Sequence, residues 1–340
     1  MSGCFHRTDV VIIGAGPVGL FAVFQCGMLR MKCHVIDTLE AAGGQCGALY
    51  PEKPIFDIPS HPRIEATDLV HRLCEQAAPF GPVYHFGQQA TKLTPTGDGG
   101  WWVNTSKDVV IEARAVIIAA GAGAFGPNRP PLDGLEAYEG RSVFYMVRRR
   151  LDFAGKRVVI AGGGDSAVDW ALSLSSIAER VMVVHRRPKF RAAPDNCAKL
   201  DALAKEGVLD LVVPYQLAGL DGVGGHLSAV RVADLDGNQK SLEADAMLAF
   251  FGLATSLGPI ESWGLTLDHH RIPINPANGA TNLPGVFAVG DIVSYPGKLK
   301  LILTGFAEAA QAAHATYGHV FPGETPHFEH STSHGIPGRE

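Results

Sequence analysis

The sequence predicts an α/β fold of two Rossmann-like units, the second inserted in the first, and three stretches carry that prediction. In the first, the β-branched run Val10-Val11-Ile12-Ile13 leads directly into Gly14-Ala15-Gly16-Pro17-Val18-Gly19 and then into a helical pattern. In the second, residues 157–167, RVVIAGGGDSA, repeat the strand, glycine turn and helix start. In the third, GVFAVGD at 285–291, an apolar run ends in Gly-Asp far beyond the second unit's own elements. It therefore reads as a strand that completes the first sheet after the chain has returned.

Taken in order, Val10–Ile13 has the composition of a strand buried on both faces. Gly14 permits the tight turn, Gly16 lets a pyrophosphate approach bare backbone, and Gly19 lets helix and strand pack closely. The helix then runs to about Arg30, and its N-terminus offers unpaired N–H groups and a positive dipole end to phosphates. A second strand, Lys32 to Ile36, ends at Asp37. That carboxylate stands about 20 residues beyond Gly14, where a dinucleotide's ribose hydroxyls are gripped.

A glycine loop follows at 41–47, in which the Gln45 amide is placed to bond a ring edge, the alternative being a mobile surface loop. Tyr50 lies between this loop and a stiff segment containing Pro51, Pro54, Pro59 and Pro62; an aromatic there either stacks on a flat cofactor or belongs to the core. Residues 63–78 read as a helix, and two strands follow around Val83 to Leu93 and Trp101 to Val109. Ala90 is small enough to present its backbone to an adenine edge. The strand Ala115–Ile118 breaks into a Gly/Ala turn, which sets the expected exit from the first domain. The expected division is 1–121 with 246–340 for the first domain and 122–245 for the second.

In the second unit, Arg157 to Ile160 is a strand, and Gly162-x-Gly164-Asp165-Ser166-Ala167 opens a helix. The next strand, Arg180 to Val184, ends at His185, in the register that Asp37 holds in the first unit. Arg186, Arg187 and Arg191 follow. A carboxylate there would repel a ribose 2′-phosphate, whereas guanidinium forks bind it with bidentate, charge-assisted bonds. The first turn thus suits FAD or NAD and the second suits NADP, the alternative being a solvated basic surface. Strands continue over Val208 to Val230, and Ala246 to Phe251 reads as the return to the first domain. Asp291 then stands where a carboxylate would bond a flavin's ribityl chain, unless Gly290-Asp291 is an ordinary strand-ending turn. A helix opening at Thr304 would aim its dipole at the flavin ring. By composition the polar segment Glu329 to His334 reads as a frayed terminus.

The whole chain has 340 residues, 46% apolar and 19% charged, with a net charge of −5, which gives no general electrostatic reason to bind nucleic acid or an anionic membrane. Gly14, Gly16, Pro17 and Gly19 interrupt the apolar N-terminal run, so neither a signal peptide nor a membrane span is expected. The six cysteines form no C-x-x-C and no zinc-ligand spacing, so no metal is expected, and isolated thiols fit a cytoplasmic enzyme.

With GAGPVG, GGQ, GGGDSA, HRRPKFRA and GVFAVGD in place, nearly the whole chain resembles two-dinucleotide flavoproteins of the NADPH–thioredoxin reductase fold. Thioredoxin reductases carry C-x-x-C just before the second Rossmann strand, but here residues 143–150 read VFYMVRRR. Glutathione-reductase-like enzymes carry a disulfide after the GG, but here Cys46 faces Pro51 at the partner position. GGQCGALYPEK at 43–53 and HSTS at 330–333 are instead similar to the thioredoxin-reductase-like class of ferredoxin (flavodoxin)–NADP reductases. The resemblance implies that Asp37 holds the adenosine ribose and Ala90 the adenine, while Gln45, Phe125, Asp291 and Thr332 contact FAD. It implies that Tyr50 stacks on one flavin face, with His330 nearest the other, and that the protein is a homodimer. NADPH would dock on Gly162 to Ala167 with Arg186, Arg187 and Arg191 and pass hydride to flavin N5. Electrons would then leave singly for ferredoxin or flavodoxin. Arg148, Arg149, Arg150, Lys298 and Lys300 are either a docking patch for an acidic carrier or a solvated surface. A disulfide-reductase-like oxidase without a dithiol relay, a flavin monooxygenase and a redox sensor are the competing expectations.

Overall fold

The computed structural model describes residues 4–325 and 335–336, with the side chains at 124–125 and 253–255 outside that description. Strand β1 (Phe5–Ile13) is followed by helix α1 (Pro17–Met28), with Gly16 as N-cap and Pro17 in the first turn, where its missing N–H costs nothing. Strand β2 (Cys33–Ile36) lies parallel to β1, Val10 beside Cys33 and Ile13 beside Ile36. Helix α2 (Gly44–Leu49) occupies most of the stretch expected to be a glycine loop, and α3 (Ala66–Ala77) falls where a helix was expected.

The single strand expected over Val83 to Leu93 is two strands. Strand β3 (Val83–His85) pairs with β2, whereas β4 (Ala90–Pro95) pairs antiparallel with β5 (Trp101–Thr105). Between them Gly87 takes a left-handed backbone conformation that ends the first strand. Strand β6 (Val110–Ile118) runs parallel to β1, giving the order β3-β2-β1-β6-β5-β4.

The chain leaves this unit through Ala124–Pro127 and comes back through Leu253–Ser256, two strands that pair with each other. In the inserted unit come β7 (Val143–Phe144), β8 (Arg157–Ala161), α4 (Asp165–Leu174), β9 (Arg180–Val184), α5 (Pro194–Lys205) and β10 (Asp210–Val212). An antiparallel sheet of β11 (Gln216–Val223), β12 (His226–Ala233) and β13 (Gln239–Glu243) follows, and then β14 (Ala246–Ala249). The expectation that residue 246 begins the return to the first domain is corrected here. Strand β14 lies between β7 and β8, parallel to both, in the order β7-β14-β8-β9-β10. Its four residues are buried, and an apolar run of that length fits the middle of either sheet. The units accordingly comprise 1–125 with 255–340, and 126–254.

Back in the first unit, β15 (Val286–Ala288) pairs in parallel with Val116–Ile118, the last part of β6. The earlier part of β6, from Val110 to Ala113, pairs antiparallel with β5, so two strands share one side of it in succession. Helix α6 (Ile302–Val320) packs against α1. It begins after Leu301, so Thr304 lies within its first turn and does not open it.

Three histidines meet on β1, β2 and β3. The rings of His6, His34 and His85 are 5.1 to 5.2 Å apart, and His34 Nδ1 is 2.9 Å from His85 Nε2. Burial, then His85 and His6, push the His34 pKa down to about 4, and burial and His6 lower that of His85. The folded state thus holds His34 neutral while the unfolded chain protonates near pH 6.5. The stability it confers is full above that pH and is lost as pH falls toward 4, the loss reaching about 2 kcal/mol by pH 5. Denaturation of the apoprotein at pH 7, 6 and 5 checks this; equal stability throughout would show that the cluster titrates as in the unfolded chain.

Candidate functional site

The carboxyl ends of β1 and β2 open on a cleft whose lining includes Gly14, Gly16, Asp37, Gln45, Ala90 and Asp291, six of the residues singled out from the sequence. The turn after β1 is built by close approach. Gly14 has φ +108°, and a Cβ on it would lie 2.3 Å from the Ala119 carbonyl oxygen; one on Gly19 would lie 1.9 Å from the Gly14 carbonyl oxygen. Gly19 therefore serves helix–strand packing and is not in the lining. Gly43 N–H donates to the Ala15 carbonyl at 2.8 Å, tying the Gln45 segment to the same turn.

Asp37 is nearly buried, and both carboxylate oxygens accept backbone bonds: Oδ2 from Ala15 N–H at 2.6 Å and Oδ1 from Leu39 N–H at 2.8 Å. Burial raises its pKa, while bonds from Leu39, Ala15 and Thr38 act the other way. Each oxygen retains a lone pair for a ribose hydroxyl. The bare glycine backbone, the helix N-terminus and this fixed carboxylate together fit an adenine dinucleotide in the first unit.

Asp291, also on the lining, is exposed on the short turn Gly290–Ile292. Cys46 also lines the cleft; burial and then the Asp291 charge push its thiol up to about 11, so it stays protonated at neutral pH. Tyr50 closes α2 as a half-buried ring with Lys53 Nζ 5.5 Å from its centroid, and it does not contribute to the cleft lining. Thr304 does not either, although its neighbours Leu301 and Ile302 do. His330 and Thr332 lie outside the described residues, as does the side chain of Phe125.

Glu308 belongs to the site although no motif marks it. It is buried on α6, where Oε2 accepts Gly290 N–H at 2.7 Å and Oε1 accepts the Tyr295 hydroxyl and Lys298 Nζ, both at 2.5 Å. A lone acid in the small-residue run GFAEAAQAA was the available signal. The same contact corrects the proposed carrier-docking patch, because the Lys298 side chain is only 5% exposed and paired to Glu308. Arg150 is also engaged, with Ser173 and Ser176, and Arg149 pairs with Asp152. Arg148 and Arg149 stay exposed in the second unit, and Lys300 in the first.

The second turn has the same design with a different lining. Gly164 is the N-cap of α4, and a Cβ there would meet nothing within 4 Å, leaving the approach to the helix N-terminus open. Asp165 Oδ1 accepts Ala193 N–H at 2.9 Å and Arg191 N–H donates to the Gly163 carbonyl at 2.7 Å, bringing the arginine segment against the turn. Ser166 follows in the first turn of α4, half-buried. The His185 ring lies so close over Gly163 that a Cβ there would be 2.3 Å from it. Burial, then Arg191, Arg186 and Arg187, lower the His185 pKa, and its buried Nε2 has no hydrogen-bond partner among the described residues. Arg186, Arg187 and Arg191 are exposed, and none forms an ion pair with a carboxylate among the described residues. An orphaned imidazole beside three available guanidiniums fits a phosphorylated ribose.

Two dinucleotide turns, one answered by a carboxylate and the other by guanidiniums, define a two-nucleotide oxidoreductase. The chain belongs to the pyridine nucleotide-disulphide oxidoreductase family, whose model matches residues 8–316. Among curated proteins it is 65% identical over 332 residues to a ferredoxin–NADP reductase of Paramagnetospirillum magneticum, covering 98% of each chain. It is 63% identical over 335 residues to one of Rhodospirillum rubrum, covering 98% of this chain and 97% of that one. Among solved structures, thioredoxin reductase of Lactococcus lactis superposes with a TM-score of 0.77 at 26% identity, over 92% of this chain and 99% of that one. The resemblance to ferredoxin–NADP reductases and the expected fold class are both borne out.

Proposed function

We propose that this chain is a ferredoxin–NADP reductase that binds FAD in its first unit and NADPH in its second, with ferredoxin or flavodoxin as the electron carrier. The observation that carries this is the contrast at one register position: buried Asp37 after β2, and His185 followed by exposed arginines after β9. FAD, when bound, accepts hydride from NADPH and releases electrons one at a time. The chain's own residues bind and orient. Asp37 fixes the adenosine ribose, Gln45 and Asp291 border the cleft, and the α6 N-terminus presents its positive end. Gly162, Gly164 and the α4 N-terminus take the pyrophosphate of NADPH, and Arg186, Arg187 and Arg191 take its 2′-phosphate. Tyr50 and His330 remain assigned to the two flavin faces, with Phe125 and Thr332 as further FAD contacts, on the strength of the motif match alone.

A dithiol relay has no support: all six cysteines are free, and Cys46 is held as a thiol. Free cysteines also accord with a cytoplasmic location, and no helix among the described residues is long and apolar enough to cross a membrane. The homodimer belongs to the same reading. Anaerobic stopped-flow mixing with NADPH and then with NADH tests it, followed by addition of ferredoxin or, separately, thioredoxin. Rapid bleaching by NADPH, slow bleaching by NADH and recovery of colour with ferredoxin are expected. Recovery only with oxygen, thioredoxin or an organic substrate would sink the reductase assignment and leave the fold intact.

A further inference from the structure

The Glu308 carboxylate is costly where it sits, since burying an ion pair is commonly no better for stability than packing two apolar side chains. What it connects gives it a use. Through Oε2 it holds the amide of Gly290, the residue before Asp291 on one side of the cleft. Through Oε1 it holds Tyr295 and Lys298, and Lys298 leads within two residues into Lys300, Leu301 and Ile302 on the lining. One carboxylate thus ties together two separate pieces of the same cleft while standing on the helix that begins at its edge. Gly305, one turn earlier on α6, packs so closely on Val18 of α1 that a Cβ would lie 2.4 Å from it, so the helix has little room to shift.

We propose that Glu308 is a positioning residue for the flavin, fixing the Gly290–Asp291 turn and, through Lys298, the Lys300–Ile302 segment at a set spacing around bound FAD. The proposal rests on the reductase reading. Lys298→Met combined with Glu308→Gln removes both buried charges, keeps an oxygen to accept Gly290 N–H, and cuts the tie to residue 298. The measurements are FAD affinity of the apoprotein by fluorescence titration, apoprotein melting temperature, and the midpoint potential of the flavin. In the double variant the melting temperature is expected to stay near the wild-type value, while FAD binds at least tenfold more weakly and the potential shifts. Wild-type affinity and potential in that variant would overturn the proposal. Should the double variant not fold, Tyr295→Phe decides, because it deletes one hydroxyl and no charge: a two- to fivefold weaker FAD affinity is expected, and an unchanged one overturns the proposal. A wild-type apoprotein that takes up no FAD would instead overturn the reductase reading, and this inference with it.

Discussion

Replacing Arg186 and Arg187 together by alanine is expected to raise the KM for NADPH about a hundredfold and to leave that for NADH within a few fold. Both side chains are exposed just after β9, and neither is committed to a carboxylate among the described residues. A hydrogen bond to a charged group is worth about 1.5–3 kcal/mol. Two such losses, partly compensated by Arg191 and by solvent, leave about 3 kcal/mol, or roughly a hundredfold. Steady-state kinetics with both nucleotides at fixed ionic strength check it. An equal loss with NADPH and NADH would mean that the arginines support the fold of the turn and do not read the 2′-phosphate.

Asp37→Asn is expected to weaken FAD binding by about 10- to 150-fold, to lower the stability of the apoprotein, and to yield protein with less bound flavin. The carboxylate accepts from Ala15 and from Leu39 with opposite oxygens. An amide replaces only one of these acceptors and turns its NH2 toward the other donor, and a buried unsatisfied donor costs about 1–3 kcal/mol. Loss of a charged acceptor for ribose adds about 1.5–3 kcal/mol at the same place. Fluorescence titration of the apoprotein with FAD measures the ribose term, and denaturation of the apoprotein measures the cost of the unsatisfied donor. An affinity within tenfold of the wild type would show that Asp37 serves the turn alone.

The parts of the site legible in the sequence are those whose chemistry is local. Gly14, Gly16, Asp37 and the His185–Arg191 segment lie at set distances from a strand and a glycine turn; the first three line one cleft, and Arg191 N–H bonds the carbonyl of Gly163 in the second turn. The parts that escaped depend on contacts between distant elements. Lys298 read as a surface cation because nothing near it in sequence shows Glu308 closing over it from α6. Strand β14 read as belonging to the first unit because an apolar run carries no label for its sheet. Thr304 was misplaced by a shorter distance, since a helix that begins at Ile302 without a side-chain cap leaves no sequence mark of its start.

The shared side of β6 orders events during synthesis. Val110–Ala113 can find β5 early, because the connection is a short local meander. Val116–Ile118 must wait for residues 286–288, and the whole inserted unit is translated in between. The inserted unit is one contiguous stretch whose five-stranded sheet closes within it, so it can form on the emerging chain while the sheet that began first stays open. Long-range pairing of this kind is slow to close. Residues 285–291, Asp291 among them, are therefore synthesised after the whole second nucleotide turn, and the first cleft gains the last part of its lining only once they are in place.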